Sequence, residues 1–362
     1  MNTYENFTIA ELALIAISRE FENLELFKQM LGTYKDEQNA KRFEKILSMC
    51  DKDLLKSFIK NLYDQEIHVI TRESKTYPYR LRNLENPPLV LYARGNLELL
   101  TKSAVAIIGT RKCTHYGEEV AKDFAKKFAD KGIVVISGLA DGIDTHAHLG
   151  AIKSFDLKQD KSPDSKILLH TIAVLGNGIN TFYPASNTGL QQKITKYGLV
   201  LSEYLPNFSG AKFTFPQRNR IVAALSNALV IVEADLKSGT MITMKCAQDV
   251  GIDVYAVPGP ITSYVSRGTN QLIKEGGAIA TNAQDVLDAF GVYEKSPQRE
   301  NAFIQLSFDE KQVLDTIGNK EVHFDGLIEE IGLPVHKLST LLTNMEMSGL
   351  IKKLAGNYYK KT

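Results

Sequence analysis

Six short runs of Val, Ile and Leu constrain the fold of this chain more than any other feature of its sequence. In chain order they read AVAIIG, IVVISG, TIAVLG, LVLSEY, ALVIVEA and DVYAVPG, and they span the region from Ala104 to Gly259. Helical patterns separate most of them; Val120, Phe124 and Phe128, for example, fall one helical turn apart. Runs that are apolar throughout and alternate with helices are typical of a parallel sheet buried on both faces. We therefore predict a Rossmann-like α/β domain.

The segments before this region have different patterns. Residues 1–66 carry apolar residues at helical spacing and no convincing strand, so we predict a small helical N-terminal domain. Between residues 67 and 100, proline and glycine surround the short apolar runs HVI and LVLYA, which predicts an extended lead-in packed against the next domain. We place the central α/β domain at residues 67–292.

The C-terminal part, residues 300–362, contains three helical patterns followed by the short basic segment GNYYKK. Three helices that end in a short strand predict a winged helix-turn-helix module. The stretch EKSPQRENA that leads into this module is typical of a linker. Within the central domain, residues 154–166 are polar and of mixed charge, and we expect a mobile surface insertion there.

Charge and cysteine content narrow the classes of protein that fit. The net charge is only +1, so contact with a nucleic acid has to come from local clusters of Lys and Arg. Cys50, Cys113 and Cys246 are scattered, which indicates neither a disulfide framework nor a zinc site. Acidic residues near the N-terminus and the lack of any apolar run of about 20 residues favour a cytoplasmic protein.

Small and loop-forming residues follow nearly every predicted strand of the central domain. Glycine lets a backbone approach a ligand closely, and the N–H groups at a helix start bind anions. In open parallel sheets the ligand crevice lies at these carboxyl ends, so the set of turns predicts a phosphate-lined site, although any single glycine could merely close a tight turn. The turns are Gly109-Thr110-Arg111, Ser137-Gly138, Gly176-Asn177-Gly178, Ser238-Gly239-Thr240 and Pro258-Gly259-Pro260.

Missing motifs exclude the commonest ligands of such a site. The dinucleotide fingerprint G-x-G-x-x-G is absent because Thr181 stands where the third glycine would be. The phosphate loop G-x-x-x-x-G-K-[ST] and the nucleophile elbow G-x-S-x-G are absent as well. We expect no cofactor and no catalytic residue.

The stretch from Lys212 to Arg220, KFTFPQRNR, combines cations with aromatic rings at a predicted helix start. Single-stranded nucleic acids are bound in this way, since bases stack on rings while cations meet phosphates. The alternative is that Phe213 or Phe215 covers the core and an arginine pairs with a local carboxylate. Arg218 and Arg220 are two residues apart and cannot share a helix face, so we expect one to contact ligand and the other to be structural.

A cluster of Asp144, His146 and His148 raises the question of a metal site. Asp144 and His148 share a helical face, whereas His146 points elsewhere, and no further ligand is spaced to complete a site. We expect these side chains to be structural and predict no metal.

The combined motifs resemble the bacterial DNA-processing protein A family, DprA or Smf. The resemblance rests on VAIIGTR, SGLADGIDTHAHLGAI, TIAVLGNGINTFYPASN, FPQRNRIVAALSNALVIVEA, SGTMITMKCAQ and GTNQLI, in the order of the family. It implies an extended Rossmann fold, a SAM-like N-terminal domain and a winged helix, in a protein that forms a homodimer and binds single-stranded DNA. It further implies protection of incoming DNA and loading of the RecA recombinase during natural transformation.

The resemblance also implies which residues contact DNA. Phe215 would be the stacking ring, Arg111 and Lys212 the phosphate-binding cations, and Leu272 and Ile273 would lie near the dimer surface. The full implied DNA-binding set is Gly109, Thr110, Arg111, Ser137, Gly138, Lys212, Phe215, Arg218, Asn219, Ser238, Gly239 and Thr240.

Two other functions remain open at this point. The core is also similar to the nucleotide phosphoribohydrolases, which carry P-G-G-x-G-T-x-x-E. Here Thr243 stands where their glutamate does the acid–base work, and hydrolysis without a positioned carboxylate is hard to support. A pure scaffold, the third reading, would bind neither nucleic acid nor nucleotide.

Overall fold

The structure, a computed structural model, describes residues 3–20, 24–36, 41–161, 168–292, 307–318, 320–347, 350–354 and 356–361. The chain forms two compact units, Met1–Tyr293 and Glu294–Thr362. No helix in the described ranges is long and apolar enough to cross a membrane.

The first unit begins with helices α1 (Ile9–Arg19), α2 (Leu24–Asp36), α3 (Lys41–Ser48) and α4 (Lys52–Asp64). Thr8 starts α1 with a capping box, in which its hydroxyl accepts from the N–H of Glu11 and the Glu11 carboxylate accepts in return. Asp51 caps α4 in a similar way. The buried side chains of these helices belong to the same hydrophobic cluster as one face of the central sheet, so the helical segment packs directly on the α/β core.

A nine-stranded sheet forms the centre of the first unit, in the order β1-β2-β6-β5-β4-β3-β7-β8-β9. The seven strands from β6 to β9 in this order are parallel, whereas β1 and β2 are antiparallel to each other and β2 is antiparallel to β6. The six apolar runs form β3 to β8, as predicted. The strands are β1 (His68–Thr71), β2 (Val90–Gly95), β3 (Ala104–Ile108), β4 (Val134–Ser137), β5 (Thr171–Leu175), β6 (Leu199–Ser202), β7 (Ala228–Ile231), β8 (Asp253–Ala256) and β9 (Ala278–Ile279).

Helices cover both faces of the sheet because the side chains of each strand alternate between them. In β3, Val105 and Ile107 belong to the cluster that contains Phe124 of α5, while Ala106 and Ile108 belong to the cluster that contains Ile221 of α8. The Rossmann-like fold is confirmed. The remaining helices of the unit are α5 (His115–Asp130), α6 (Ile143–Lys161), α7 (Thr188–Tyr197), α8 (Thr214–Leu225), α9 (Gly239–Asp249), α10 (Arg267–Lys274) and α11 (Ala283–Leu287).

Two expectations about local structure are wrong. The runs HVI and LVLYA are not an extended lead-in but the edge pair β1 and β2, because their backbones complete the ladder beyond β6. Residues 154–161 of the expected insertion continue α6, and Phe155 is buried in the core. The rest of that segment, from residue 162, and the predicted linker at 294–302 lie outside the described residues.

The described residues of the second unit form three helices and a three-stranded antiparallel sheet in the order β10-β12-β11. Its core includes Val313, Leu327, Leu338, Ile351 and Tyr359. This arrangement confirms the predicted winged helix. The elements are α12 (Phe308–Ile317), β10 (Val322–His323), α13 (Phe324–Ile331), α14 (Val335–Met347), β11 (Ile351–Leu354) and β12 (Tyr358–Lys361).

Candidate nucleic-acid interface

A cavity of about 330 Å³ opens at the carboxyl edge of the sheet, where the turns after β3, β4 and β7 meet the first turn of α8. We call it the rim cavity. Ten of the twelve residues expected to contact DNA line it, and Lys212 and Ser137 do not. The ten are Gly109, Thr110, Arg111, Gly138, Phe215, Arg218, Asn219, Ser238, Gly239 and Thr240.

The buried residue Glu233 anchors the turn after β3 through both its backbone carbonyl and its carboxylate. The N–H of Thr110 donates to the Glu233 carbonyl at 2.8 Å, and the N–H of Thr114 donates to its Oε2 at 2.8 Å. Gly109 is required here, since a Cβ would lie 2.8 Å from that carbonyl oxygen and 2.5 Å from Ile143. The turn leaves Arg111 exposed, and its side chain forms no ion pair or hydrogen bond with a described residue.

Arg218 lies in the wall of the rim cavity and is only 4% exposed. Its guanidinium donates to the carbonyl oxygens of Gly138, at 2.5 Å, and Val174, and so joins the ends of β4 and β5. Burial lowers the pKa of Arg218 to about 10, so it stays charged at neutral pH. Arg220, on another face of α8, donates to both Glu203 oxygens at 2.6 and 2.9 Å and lines a different cavity. Both arginines therefore have protein partners.

The Phe215 ring is partly exposed at the cavity and packs against Tyr183, with ring centroids 5.0 Å apart. A Cβ on Gly176 would lie 2.6 Å from the Phe215 ring, so the turn after β5 has to be glycine for the ring to sit there. Tyr183 was not identified from sequence, although the exposed aromatic pair in TFYP follows a predicted turn and could have indicated it. The two rings form an aromatic platform at the rim.

Two of the expected DNA-contacting residues lie away from the cavity. Ser137 is fully buried, and its hydroxyl donates to the carbonyl of Ile107 at 2.7 Å, so any contact that it makes with a ligand comes from its backbone. Lys212 is exposed just before α8 begins and does not line the rim cavity.

The residues expected near a dimer surface are largely covered in the monomer. Leu272 is 6% exposed within the hydrophobic cluster that contains Ile221, and Ile273 packs partly against that cluster. The position of the dimer surface stays a prediction.

Asp144, His146 and His148 have separate partners. Asp144 accepts from the Gly138 N–H at 3.1 Å, and burial raises its pKa. The His148 Nδ1 lies 2.8 Å from the Thr171 hydroxyl, and burial lowers the pKa of this imidazole to about 3, so it is neutral. Asp144 therefore anchors the turn after β4, whereas His148 bonds to the start of β5 and the His146 Nε2 lies 3.6 Å from Glu118.

A different group could hold a cation. Ligand atoms of Cys113, Glu118 and His146 lie within 4.8 Å of one another in the described part of the chain, outside the rim cavity. Cysteine, carboxylate and imidazole are all zinc ligands. Sequence spacing gave no signal for this group, because α5 and α6 bring it together.

Comparison with protein families matches both units. Residues 68–291 match the model described as DNA recombination-mediator protein A, and residues 297–357 match the DprA winged helix domain. Protein Smf of Escherichia coli is 32% identical over 81% of this chain and 77% of its own length. The DNA processing protein DprA of Streptococcus pneumoniae is 39% identical over 59% of this chain and 71% of its own.

Two solved structures are also similar. The X-ray structure of DprA from Streptococcus pneumoniae has a TM-score of 0.61 at 32% identity and covers 78% of this chain and 98% of that one. DNA processing protein A from Helicobacter pylori, whose structure is described as revealing its single-stranded DNA binding mode, has a TM-score of 0.55 at 31% identity, with 63% and 98% covered. The chain therefore belongs to the DNA recombination-mediator protein A family, DprA or Smf.

Proposed function

We propose that this protein binds single-stranded DNA through the rim cavity and does not process it chemically. The observation that carries the proposal is the convergence of three features at one edge of the sheet: Arg111, which has no partner among the described residues, the Phe215 ring and the start of α9. A cation, a ring and free N–H groups are what a phosphodiester chain with unpaired bases requires. The single-stranded DNA binding attributed to the Helicobacter pylori relative supports this function.

The start of α9 supplies the anion-binding part of the site. The first N–H groups of a helix have no partner within it, and the helix dipole adds a partial positive charge there. Gly239 has open space around it, since a Cβ at this position would meet nothing within 4 Å. A phosphate can therefore approach the backbone of Ser238, Gly239 and Thr240 closely.

The aromatic platform, formed by Phe215 and Tyr183, would give the protein a preference for single-stranded over duplex DNA. A base can stack on a protein ring only after it has left its neighbours, and stacking is worth about 1–3 kcal/mol per base. In duplex DNA this surface of the base is already covered. Fluorescence anisotropy with an oligothymidylate and with a duplex of equal length, over a range of salt, tests the preference. Equal affinity for the two at every salt concentration would remove the basis of the proposal.

We propose that the protein acts as a homodimer in the cytoplasm, protects incoming DNA during natural transformation and loads RecA onto it. The family membership supports this role. The test is RecA filament growth on strands already covered by a single-strand-binding protein, with and without this chain. An unchanged nucleation rate would contradict the loading step.

Hydrolysis of nucleotides is the rival function. Thr243 lines the rim cavity where the glutamate of the phosphoribohydrolases would stand. The carboxyl of Asp144 also lines the cavity, but it accepts a hydrogen bond from the Gly138 N–H and anchors the turn. General acid–base catalysis needs a carboxyl positioned on the substrate. We expect no free base after incubation with nucleoside monophosphates, and its release would favour the hydrolase.

A further inference from the structure

The carboxyl edge that carries the rim cavity continues to the other end of the sheet. Strand β6 is antiparallel to β2, and β2 is antiparallel to β1, so β1 runs in the same direction as the parallel strands. Thr71 at the end of β1 pairs with Val90, and Tyr92 pairs with Ser202 at the end of β6. Arg72, the next residue after β1, therefore leaves the sheet at the same edge as the turns of the rim cavity.

Two further cavities lie along this part of the edge. One, of about 550 Å³, reaches from Gln217 of α8 to Arg72 and to the end of α2. The other, of about 540 Å³, is lined by Tyr34, Lys35, Arg42, Arg72, Glu73 and Arg82. Tyr34, Lys35 and Arg72 line both, so the two cavities form one groove. We call the four cations of the outer cavity, Lys35, Arg42, Arg72 and Arg82, the β1 basic site.

Positive charges outnumber negative ones among the described residues that line the β1 basic site. Four cations face a single carboxylate, Glu73, which accepts a hydrogen bond from Tyr34. The side chains of Lys35 and Arg72 form no ion pair or hydrogen bond with any described residue. Arg82, in contrast, donates to the Arg72 carbonyl at 2.7 Å. An excess of like charges raises the local potential and favours a polyanion.

We propose that the β1 basic site binds the phosphate backbone of the same DNA strand whose bases occupy the rim cavity. The inference rests on the proposed function and adds the course of the strand, from α9 across the edge to the N-terminal helices. From β3 to β1 there are five strand-to-strand steps, about 24 Å at about 4.8 Å per step. That distance accommodates up to about seven nucleotides at a stacked rise of about 3.4 Å.

The middle of the groove is consistent with passage of a backbone between the two sites. Gln217 lines the 550 Å³ cavity and is the neighbour in the chain of Arg218, which lines the rim cavity. Arg220 also lines the 550 Å³ cavity and is paired with Glu203. The arginine that α8 contributes to the middle of the groove is therefore already paired. We expect the DNA strand to be held mainly by the rim cavity at one end and the β1 basic site at the other. Removal of the outer cations should then affect long strands and spare short ones.

The test uses the double variant Lys35→Gln/Arg72→Gln in the full chain and two oligothymidylates. The shorter one is the minimal length that binds wild-type protein, and the longer one has about seven more nucleotides, the span set by the sheet. Loss of two phosphate contacts lowers the slope of log K against log salt by about 1.4, which is roughly 25-fold in affinity at 0.1 M salt. We expect this loss for the long oligonucleotide and none for the short one.

The matched control is Lys60→Gln/Lys153→Gln, which removes two exposed lysines outside both cavities. It should bind both lengths like the wild type. The single variant Arg72→Lys keeps the charge and should retain most of the affinity for the long strand. Thermal unfolding of each variant separates loss of the site from loss of the fold.

The outcomes separate the two proposals. Equal losses for both lengths, or no loss for either, would overturn the extended path while leaving the rim cavity in place. If the double variant weakens binding of inorganic polyphosphate but not of the long strand, the site takes a small anion and the path is wrong. If wild-type protein binds no oligothymidylate of any length, the proposed function itself fails.

Discussion

Replacement of Arg218 by Met tests whether this arginine holds the site together or contacts DNA. The guanidinium is 4% exposed and satisfies the carbonyls of Gly138 and Val174, which come from two different strand ends. Methionine fills much of the volume but donates nothing, so both carbonyls lose their partner. A buried polar group without a partner costs about 1–3 kcal/mol, which gives about 2–6 kcal/mol for the pair.

The assay is urea unfolding followed by circular dichroism, with Arg220→Met as the matched control on the same helix. The ion pair of Arg220 with Glu203 is partly exposed, and pairs of this kind contribute about 0–1 kcal/mol. We expect Arg218→Met to lower the free energy of unfolding well beyond the control. A variant with wild-type stability and no DNA binding would refute the structural role and make Arg218 a ligand contact.

Three other changes are informative. Arg111→Ala should lower the salt slope for single-stranded DNA by about 0.7, roughly fivefold in affinity at 0.1 M salt, measured by anisotropy against Lys153→Ala. Phe215→Ala should cost about 1–3 kcal/mol of binding with little change in salt slope, since a ring is lost and no charge; a changed slope would contradict stacking. The folded state keeps His148 neutral, so the contribution of this residue to the free energy of unfolding is present above pH 6.5 and should be lost as the pH falls towards about 3. His148→Asn should reduce this pH dependence, as measured by urea unfolding at several pH values.

Local sequence patterns are sufficient to predict the secondary structure of the core and the edge of the sheet that carries the rim cavity. Apolar runs four to five residues long, separated by helical patterns, can be buried on both faces only in a parallel sheet. The carboxyl ends of such strands share one edge, so the turns at Gly109, Gly138 and Ser238 had to meet there. Local periodicity and turn chemistry suffice for these conclusions because neighbouring residues carry the signal.

Long-range folding, in contrast, sets which polar side chains have partners within the described part of the protein. Arg111 and Arg218 look alike in the sequence, but only the fold brings the carbonyls of Gly138 and Val174, 80 and 44 residues away, onto Arg218. The direction of β1 likewise depends on pairing across the sheet edge, which local patterns do not specify. Lys35 and Arg72 line one cavity for the same reason. Long-range packing, and not the neighbouring residues in the chain, sets where these two cations lie.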